Sequence, residues 1–448
     1  MILRRKRLEF EKAVIITSII YIFFLCYIFF KIKNLKKREI MFILLLSIVT
    51  PYNLLISRIA NYQLITPFTF IYRYRVGFFS LLDTIFIIII LYNLKNIIKL
   101  KMKGIIKVLF IRDVLYIFCG TVMLIVSKGY IIDNGRTYLA YLRGFFFEWG
   151  SYFLFLYFFQ KNKNYKIDNL IKILLQVIIG SYFISLLYKS NEVWIRFGKK
   201  ITILSQEWAT FFIIFICIYI FLLNKKIRKK RNIIILVILV YFIYINSYKG
   251  NLIYFAIFLI YLSLEFGKSQ INKILKIYFF GLVACLIAIF FIFKFKDNGA
   301  INTRKLQLSQ YIQHLKEQKK EEIIYLFGSG IGSSYKGSMG DYGESYEIDR
   351  RRYGEYKFSL QTPGLSNFKD VGIVGIILCL VINSIVLIKI FKQNKKNIKL
   401  EKNERVEFST IRFFLFYNLV TLVIIVSIPS VALFTGYLYA RYDNLLEN

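Results

Sequence analysis

The sequence predicts an all-α polytopic integral membrane protein, with about twelve transmembrane helices and one long extracytoplasmic loop. Three observations predict it. Of the 448 residues, 57% are hydrophobic and 18% aromatic, above the roughly one half that is usual for a soluble domain. Apolar runs of about 17–25 residues, enough to cross a hydrocarbon core, recur from end to end. These runs are continuous rather than alternating, which excludes barrel strands and leaves helices to satisfy the backbone in lipid.

In chain order the runs fall at 13–30, 40–57, 78–94, 106–127, 138–160, 169–188, 205–223, 232–247, 251–266, 272–293, 371–390 and 411–428. The first, from Ala13, lacks a small-residue cleavage site and reads as a span rather than a signal peptide. The runs divide the chain into N-terminal transmembrane helices over 1–293, a long extracytoplasmic loop over 294–370, and C-terminal transmembrane helices with a tail over 371–448. Lys and Arg total 62 against 26 Asp and Glu, a formal charge of +36. They cluster in short loops between apolar runs instead of forming the continuous stripe of a nucleic-acid footprint.

The loops 31–39, 95–107, 161–172, 224–231, 267–276 and 391–412 are richer in Lys and Arg than the segments alternating with them. The positive-inside rule puts this first set in the cytoplasm and 294–370 outside. The N-terminal MILRRKRLEFEK runs against that count. An extra pass or dip through RIANYQLITPFTFIYRY (58–74), or a different first span, would reverse its side.

The long loop begins with TRKLQLSQYIQHLKEQKKEE (303–322), where Leu308, Tyr311, Ile312 and Leu315 recur at helical spacing. An amphipathic helix on the outer membrane surface, or one packed on the bundle's outer mouth, fits this pattern equally. His314, the one histidine, stands beside the stripe as a plain surface residue, and none lies inside a span. That excludes intramembrane zinc enzymes and histidine-dependent acyltransferases. The five cysteines (Cys26, Cys119, Cys217, Cys285, Cys379) all sit in apolar runs, without metal-ligand spacing and in odd number. They read as free thiols.

Further along lies LFGSGIGSSYKGSMGDYGESYEIDRRRYGEYKFSLQTPG (326–364). From Gly332 a P-loop fit reaches Gly337 and then meets Ser338 and Met339; a dinucleotide fingerprint needs glycine at Ser333. Its outer side also argues against nucleotide. The glycines either make turns in a solvated loop or bring backbone close to a substrate.

Charges inside spans are costly and default to function. Arg112 and Asp113 are adjacent and read as a self-neutralising pair. Arg143 and Glu148, five residues apart, are not i,i+4 partners, and Arg143 facing a polar cavity could hold a phosphate. Two outer cationic sites stand at Arg196, Lys199 and Lys200 and at Lys249 before Gly250. Snorkelling or headgroup contact is the alternative for each.

Three segments in order resemble the O-antigen polymerase and ligase superfamily. SYKGNLIYFAIFLIYL (247–262) is similar to its Ser-Arg-Gly turn and following apolar helix, and LSQEWATFF (204–212) to its Pro-Asn-x-x-Ala span start. YLFGSGIGSS followed by FKDVGIVGIILCLVI resembles its glycine-rich loop and Glu-x-Gly helix entry. The number of spans and the single late loop match as well. Lys249 stands where the family has Arg, so a bidentate fork becomes a point charge. Ser205 and Gln206 replace Pro-Asn, and Asp370 replaces Glu. The second half of the loop lacks the histidine typical of the family's lipid A–core ligases, which favours a polymerase.

The resemblance implies a metal-independent glycosyltransferase on the outer face of a bacterial cytoplasmic membrane, in O-antigen or capsular polysaccharide synthesis. Its donor would be a growing glycan on undecaprenyl diphosphate and its acceptor a lipid-linked repeat unit. No cofactor is implied, because lipid diphosphate already leaves well. Cations to neutralise that leaving group would be Arg143, Arg196 and Lys249, with Arg350, Arg351 and Arg352 from the loop. A general base for the acceptor hydroxyl would come from Asp341, Glu344, Glu347, Asp349 or Asp370. Tyr335, Tyr342, Tyr346, Tyr353 and Tyr356 could offer flat faces to sugar rings. Implied partners are lipid-linked glycans, membrane lipids, a chain-length regulator and a flippase, with no nucleic acid. A ligase using another acceptor, a lipid-linked oligosaccharide flippase and a non-catalytic scaffold are the rival readings.

Overall fold

The computed structural model describes residues 79–127, 135–161, 299–317, 321–336, 363–393, 402–425 and 429–447. It also describes the strand pieces 75–76, 193–196, 199–202 and 356–357, and residues 19, 23, 26 and 360. The described chain is mostly helical. The expected spans 40–57, 169–188, 205–223, 232–247, 251–266 and 272–293 lie outside the described residues.

Two strand pieces, β1 (Arg75–Val76) and β2 (Phe79–Ser80), pair antiparallel and lead into α1 (Leu81–Ile97). Ser80 starts α1 through a capping box: its hydroxyl accepts from the Asp83 amide, and its own amide donates back to Asp83 Oδ2. Two of the helix's orphan donors are thereby satisfied. Helices α2 (Gly104–Val126) and α3 (Arg136–Lys161) match the expected spans 106–127 and 138–160 within two residues.

Between α3 and the later helices lies the antiparallel pair β3 (Val193–Arg196) and β4 (Lys199–Thr202). The expected amphipathic helix is α4 (Gly299–Lys316), followed by the short α5 (Glu321–Phe327). Tyr311 and Leu315 of α4 are buried with Ile324, Tyr335 and Leu360, and Leu365 and Phe368 pack against them. Of the two settings open to that helix, its stripe takes a protein one; Ile312, at its edge, is exposed. His314 is half-buried rather than a plain surface residue. Strands β5 (Tyr335–Lys336) and β6 (Tyr356–Lys357) pair antiparallel, and Tyr335 of β5 packs against Tyr311 of α4.

Helix α6 (Pro363–Gln393) contains the expected span 371–390, but it is broken at Gly372, whose φ of 65° and ψ of −166° are not helical. The last expected span, 411–428, needs correction. Helix α7 (Lys402–Val420) begins nine residues earlier and stops at Val420, and Leu422 turns the chain with φ 55°. Beyond it the expected tail is a helix, α8 (Pro429–Glu447), buried at every position from Val431 to Leu445. Proline is tolerated at a first helical position, where its missing N–H would be unpaired anyway. Tyr437 of α8 packs edge-on to Phe155 and Phe159 of α3, and Tyr152 of α3 donates to Asp443 Oδ2 at 2.7 Å.

Among the described residues two helices are long and apolar enough to cross a membrane, α2 and the Gly364–Ile390 part of α6. They pack on each other with polar residues inward: Arg112, Asp113, Tyr116 and Asn383 are buried. Their outward faces carry Leu115, Phe118, Ile125, Ile377, Leu378 and Val381, each more than 40% exposed. Apolar-out and polar-in is the arrangement suited to lipid.

Candidate functional site

The segment Gly328–Tyr335 is buried at every position except Ser329, which is half-buried, so it is no solvated loop. It threads between helices. The Ser329 amide donates to Lys369 O and the Gly330 amide to Asp370 O, the carbonyls that the break in α6 leaves open. The Ile331 amide donates to Gly120 O of α2. A helix broken inside the protein leaves buried backbone groups that must find partners. The glycine-rich segment supplies them.

Glycine is required by space and by conformation. Gly330 has φ 94°, and a Cβ there would collide with the backbone of Leu124 in α2. A Cβ at Gly372 would meet the backbone of Leu326 and Gly328. These glycines bring the segment close to the backbone of neighbouring helices rather than to a substrate.

At this junction Lys369 and Asp370 form a fully buried ion pair of 2.5 Å. Lys369 Nζ also donates to Ser333 O and Oγ, both at 3.1 Å. Tyr116 of α2 donates to Asp370 Oδ2 at 2.9 Å, with Asn367 Oδ1 at 3.0 Å from the same hydroxyl. Asn367 in turn donates to Leu422 O, tying α6 to the turn after α7. Tyr311 reaches the same junction from α4, its hydroxyl 3.3 Å from Ser329 Oγ, and burial pushes its phenol up from the usual tyrosine range. Asp370 is thus enclosed and neutralised, a carboxylate that holds the site together from within.

Arg112 and Asp113 pair as expected, Nε to Oδ1 at 2.8 Å. Asn383 and Trp149 complete their shell, bonding Arg112 Nη1 at 3.0 Å and Asp113 Oδ2 at 3.2 Å. Arg143 does not pair with Glu148. Its Nε meets Asp83 Oδ1 at 2.5 Å, its Nη2 donates to Ser80 Oγ, and its guanidinium lies 5.5 Å from the Phe147 ring centre. The guanidinium keeps 28% of its side chain exposed.

Arg196 lies at the end of β3, directly opposite Lys199 of β4 in the register. Tyr335, expected to offer a face to sugars, is fully buried edge-on to Tyr311 at 5.5 Å. Packing, not stacking on substrate, occupies it. Lys249, Asp341, Glu344, Glu347, Asp349, Arg350, Arg351 and Arg352, with Tyr342, Tyr346 and Tyr353, lie outside the described residues.

Sequence reasoning missed Lys369, Tyr116, Asn367 and Asp83. Ser80-x-x-Asp83 before an apolar run carries the capping-box signature, and Lys369 adjoins Asp370 in FKDVG. Nothing local marks Tyr116 or Asn367, whose partners are more than 50 residues away. Among the described residues no group of three or more His, Cys, Asp or Glu could hold a metal ion. No family model matches the chain, and neither a curated protein nor a solved structure is similar to it.

Proposed function

We propose that the chain is a multi-pass glycosyltransferase of a bacterial cytoplasmic membrane, with about twelve spans, that polymerises lipid-linked oligosaccharide repeat units. In each cycle the bond from the glycan's anomeric carbon to undecaprenyl diphosphate breaks. The diphosphate leaves with the electron pair, and a hydroxyl oxygen of the incoming repeat unit bonds to that carbon as its proton passes to a base. One observation carries the reading: two motifs that resemble the O-antigen polymerase and ligase superfamily, GSGIG and KDVGIVG, form a single buried unit through the Ser329 and Gly330 amides. Motifs matched independently in sequence gain weight when they meet in space.

In this reading Lys369, Asp370 and Tyr116 organise the site. The leaving diphosphate falls to Arg196, Lys249 and the Arg350–Arg352 run, with Arg143 shared between Asp83 and substrate. Asp341, Glu344 and Glu347 remain the proposed sources of the base. Deleting the gene and resolving surface glycan on a gel tests the proposal. Glycan ending after a single repeat unit is expected. Full-length polymer stranded on the lipid carrier would point to a ligase, loss of all surface glycan to a flippase, and an unchanged ladder would reject all three. Lys249→Ala and Arg196→Ala are each expected to stop chain growth while the protein stays in the membrane. Long chains in both variants would remove the cation clamp.

A further inference from the structure

Four helices meet around a buried polar cluster that the glycan reading does not use. Arg112 and Asp113 come from α2, Glu148 and Trp149 from α3, Asn383 and Cys379 from α6, and Tyr439 from α8. Arg112 spends Nε and Nη2 on Asp113 and Nη1 on Asn383. Asp113 takes a further bond from Trp149. Glu148 is 1% exposed, and among the described residues the Tyr439 hydroxyl, Asp113 and Arg112 are the titratable or charged groups facing it. Cys379 faces the Arg112–Asp113 side of the cluster.

Among the described residues the charge inventory does not close. One guanidinium serves two carboxyl groups, and its donors are already committed to Asp113 and Asn383. An ionised Glu148 would leave a net negative charge buried among the described helices. A buried charge of that kind is neutralised rather than tolerated. A small cation would need several oxygens arranged around it, whereas Asp113 is taken up by Arg112 and Trp149. A single proton closes the inventory of the described residues.

We propose that Glu148 is a proton-binding site within the helix cluster, held as the neutral carboxylic acid beside the Tyr439 hydroxyl. The site lies where α8 docks on α3, since a Cβ at Gly436 of α8 would collide with the carbonyl of Glu148 itself. Protonation and the α3–α8 contact are therefore linked: ionising Glu148 brings an unbalanced charge to the point where the two helices touch. This inference is independent of the glycan reading and fails or stands separately from it.

Infrared difference spectroscopy on the purified full chain in lipid nanodiscs tests it. At neutral pH the native protein should show the carbonyl-stretch band of a buried protonated carboxyl group, shifted in heavy water. Glu148→Gln should remove the band. Asp113→Asn should remove it as well, because Arg112 then has one carboxyl to neutralise and Glu148 ionises against it. Arg112→Gln should strengthen it, by leaving two acids and no guanidinium. If Glu148→Gln does not fold, the other two variants still test the charge inventory. A native protein without the band, or a band that persists in Glu148→Gln, overturns the proposal. So does a band that appears only when sodium is withdrawn, which would make the ligand a metal cation.

Discussion

Arg441 and Glu407 show what a single buried pair contributes here. Nε and Nη2 of Arg441 reach both carboxylate oxygens of Glu407 at 2.7 and 2.9 Å, joining α8 to α7, and both side chains are almost wholly buried. Removing one partner leaves the other charged and enclosed, which costs about 3–5 kcal/mol. Arg441→Ala or Glu407→Ala should therefore lower the thermal unfolding midpoint strongly, while the double change to apolar residues of similar volume lowers it less. Equal effects would mean that the pair is no more than packing. Lys357 on β6 adds a pH dependence. Burial pushes its amine from 10.5 down to about 8. Between those values the unfolded chain binds more protons than the folded one, so stability rises with pH from about 8 towards 10.5 and is lost as pH falls through that window. Lys357→Met should flatten this slope in a melting series, and an unchanged slope would assign it elsewhere. Pairs between neighbours, such as Arg112–Asp113, were legible in the sequence. Arg143–Asp83 was not, because sequence spacing says nothing of two helices crossing.

At the scale of elements, the glycine-rich segment gives the sharpest contrast. Gly330 and Gly135 both have positive φ, 94° and 77°, but a Cβ at Gly135 meets nothing within 4 Å, whereas one at Gly330 strikes the α2 backbone. Gly135→Ala should cost only the left-handed penalty, about 1–2 kcal/mol. Gly330→Ala should add the loss of the docked segment, with its bonds to Lys369 O and Asp370 O. Comparing the two by thermal unfolding and limited proteolysis separates conformation from docking; matching losses would show that the segment does not depend on its fit to α2. The helices α2, α3 and α4 were legible because each carries an uninterrupted apolar run or a clear stripe. Helix α8 was not. Its core-facing residues include Arg441, Asp443 and Asn444, so a hydropathy reading takes it for a tail, and only the partners on α3 and α7 make those side chains affordable. The break in α6 was equally hidden, since Gly372 lies in an apolar run and its conformation is set by the segment docked 40 residues upstream.

For the whole molecule, the question is which solvent surrounds the outward faces of α2 and α6. Ile377 and Phe118 are 53% and 64% exposed, on the faces opposite the buried Asn383 and Arg112. In water a substitution at such a position stays within about 0.5 kcal/mol. In a bilayer centre a lysine there costs about 2.5–3.5 kcal/mol by insertion measurements. The two environments thus predict effects several-fold apart for the same change, and no packing is disturbed to confuse them. Ile377→Lys and Phe118→Lys are expected to reduce membrane-integrated protein sharply, read by the fraction that resists carbonate extraction. Ile377→Leu should leave it unaltered. Lysine variants that integrate and melt like the native chain would place these faces against water or protein, and the multi-pass topology on which the proposed function rests would have to be withdrawn. The sharp loss is expected because the polar groups of both helices already face inward, so neither helix can rotate an introduced lysine out of lipid without burying an apolar stripe in its place.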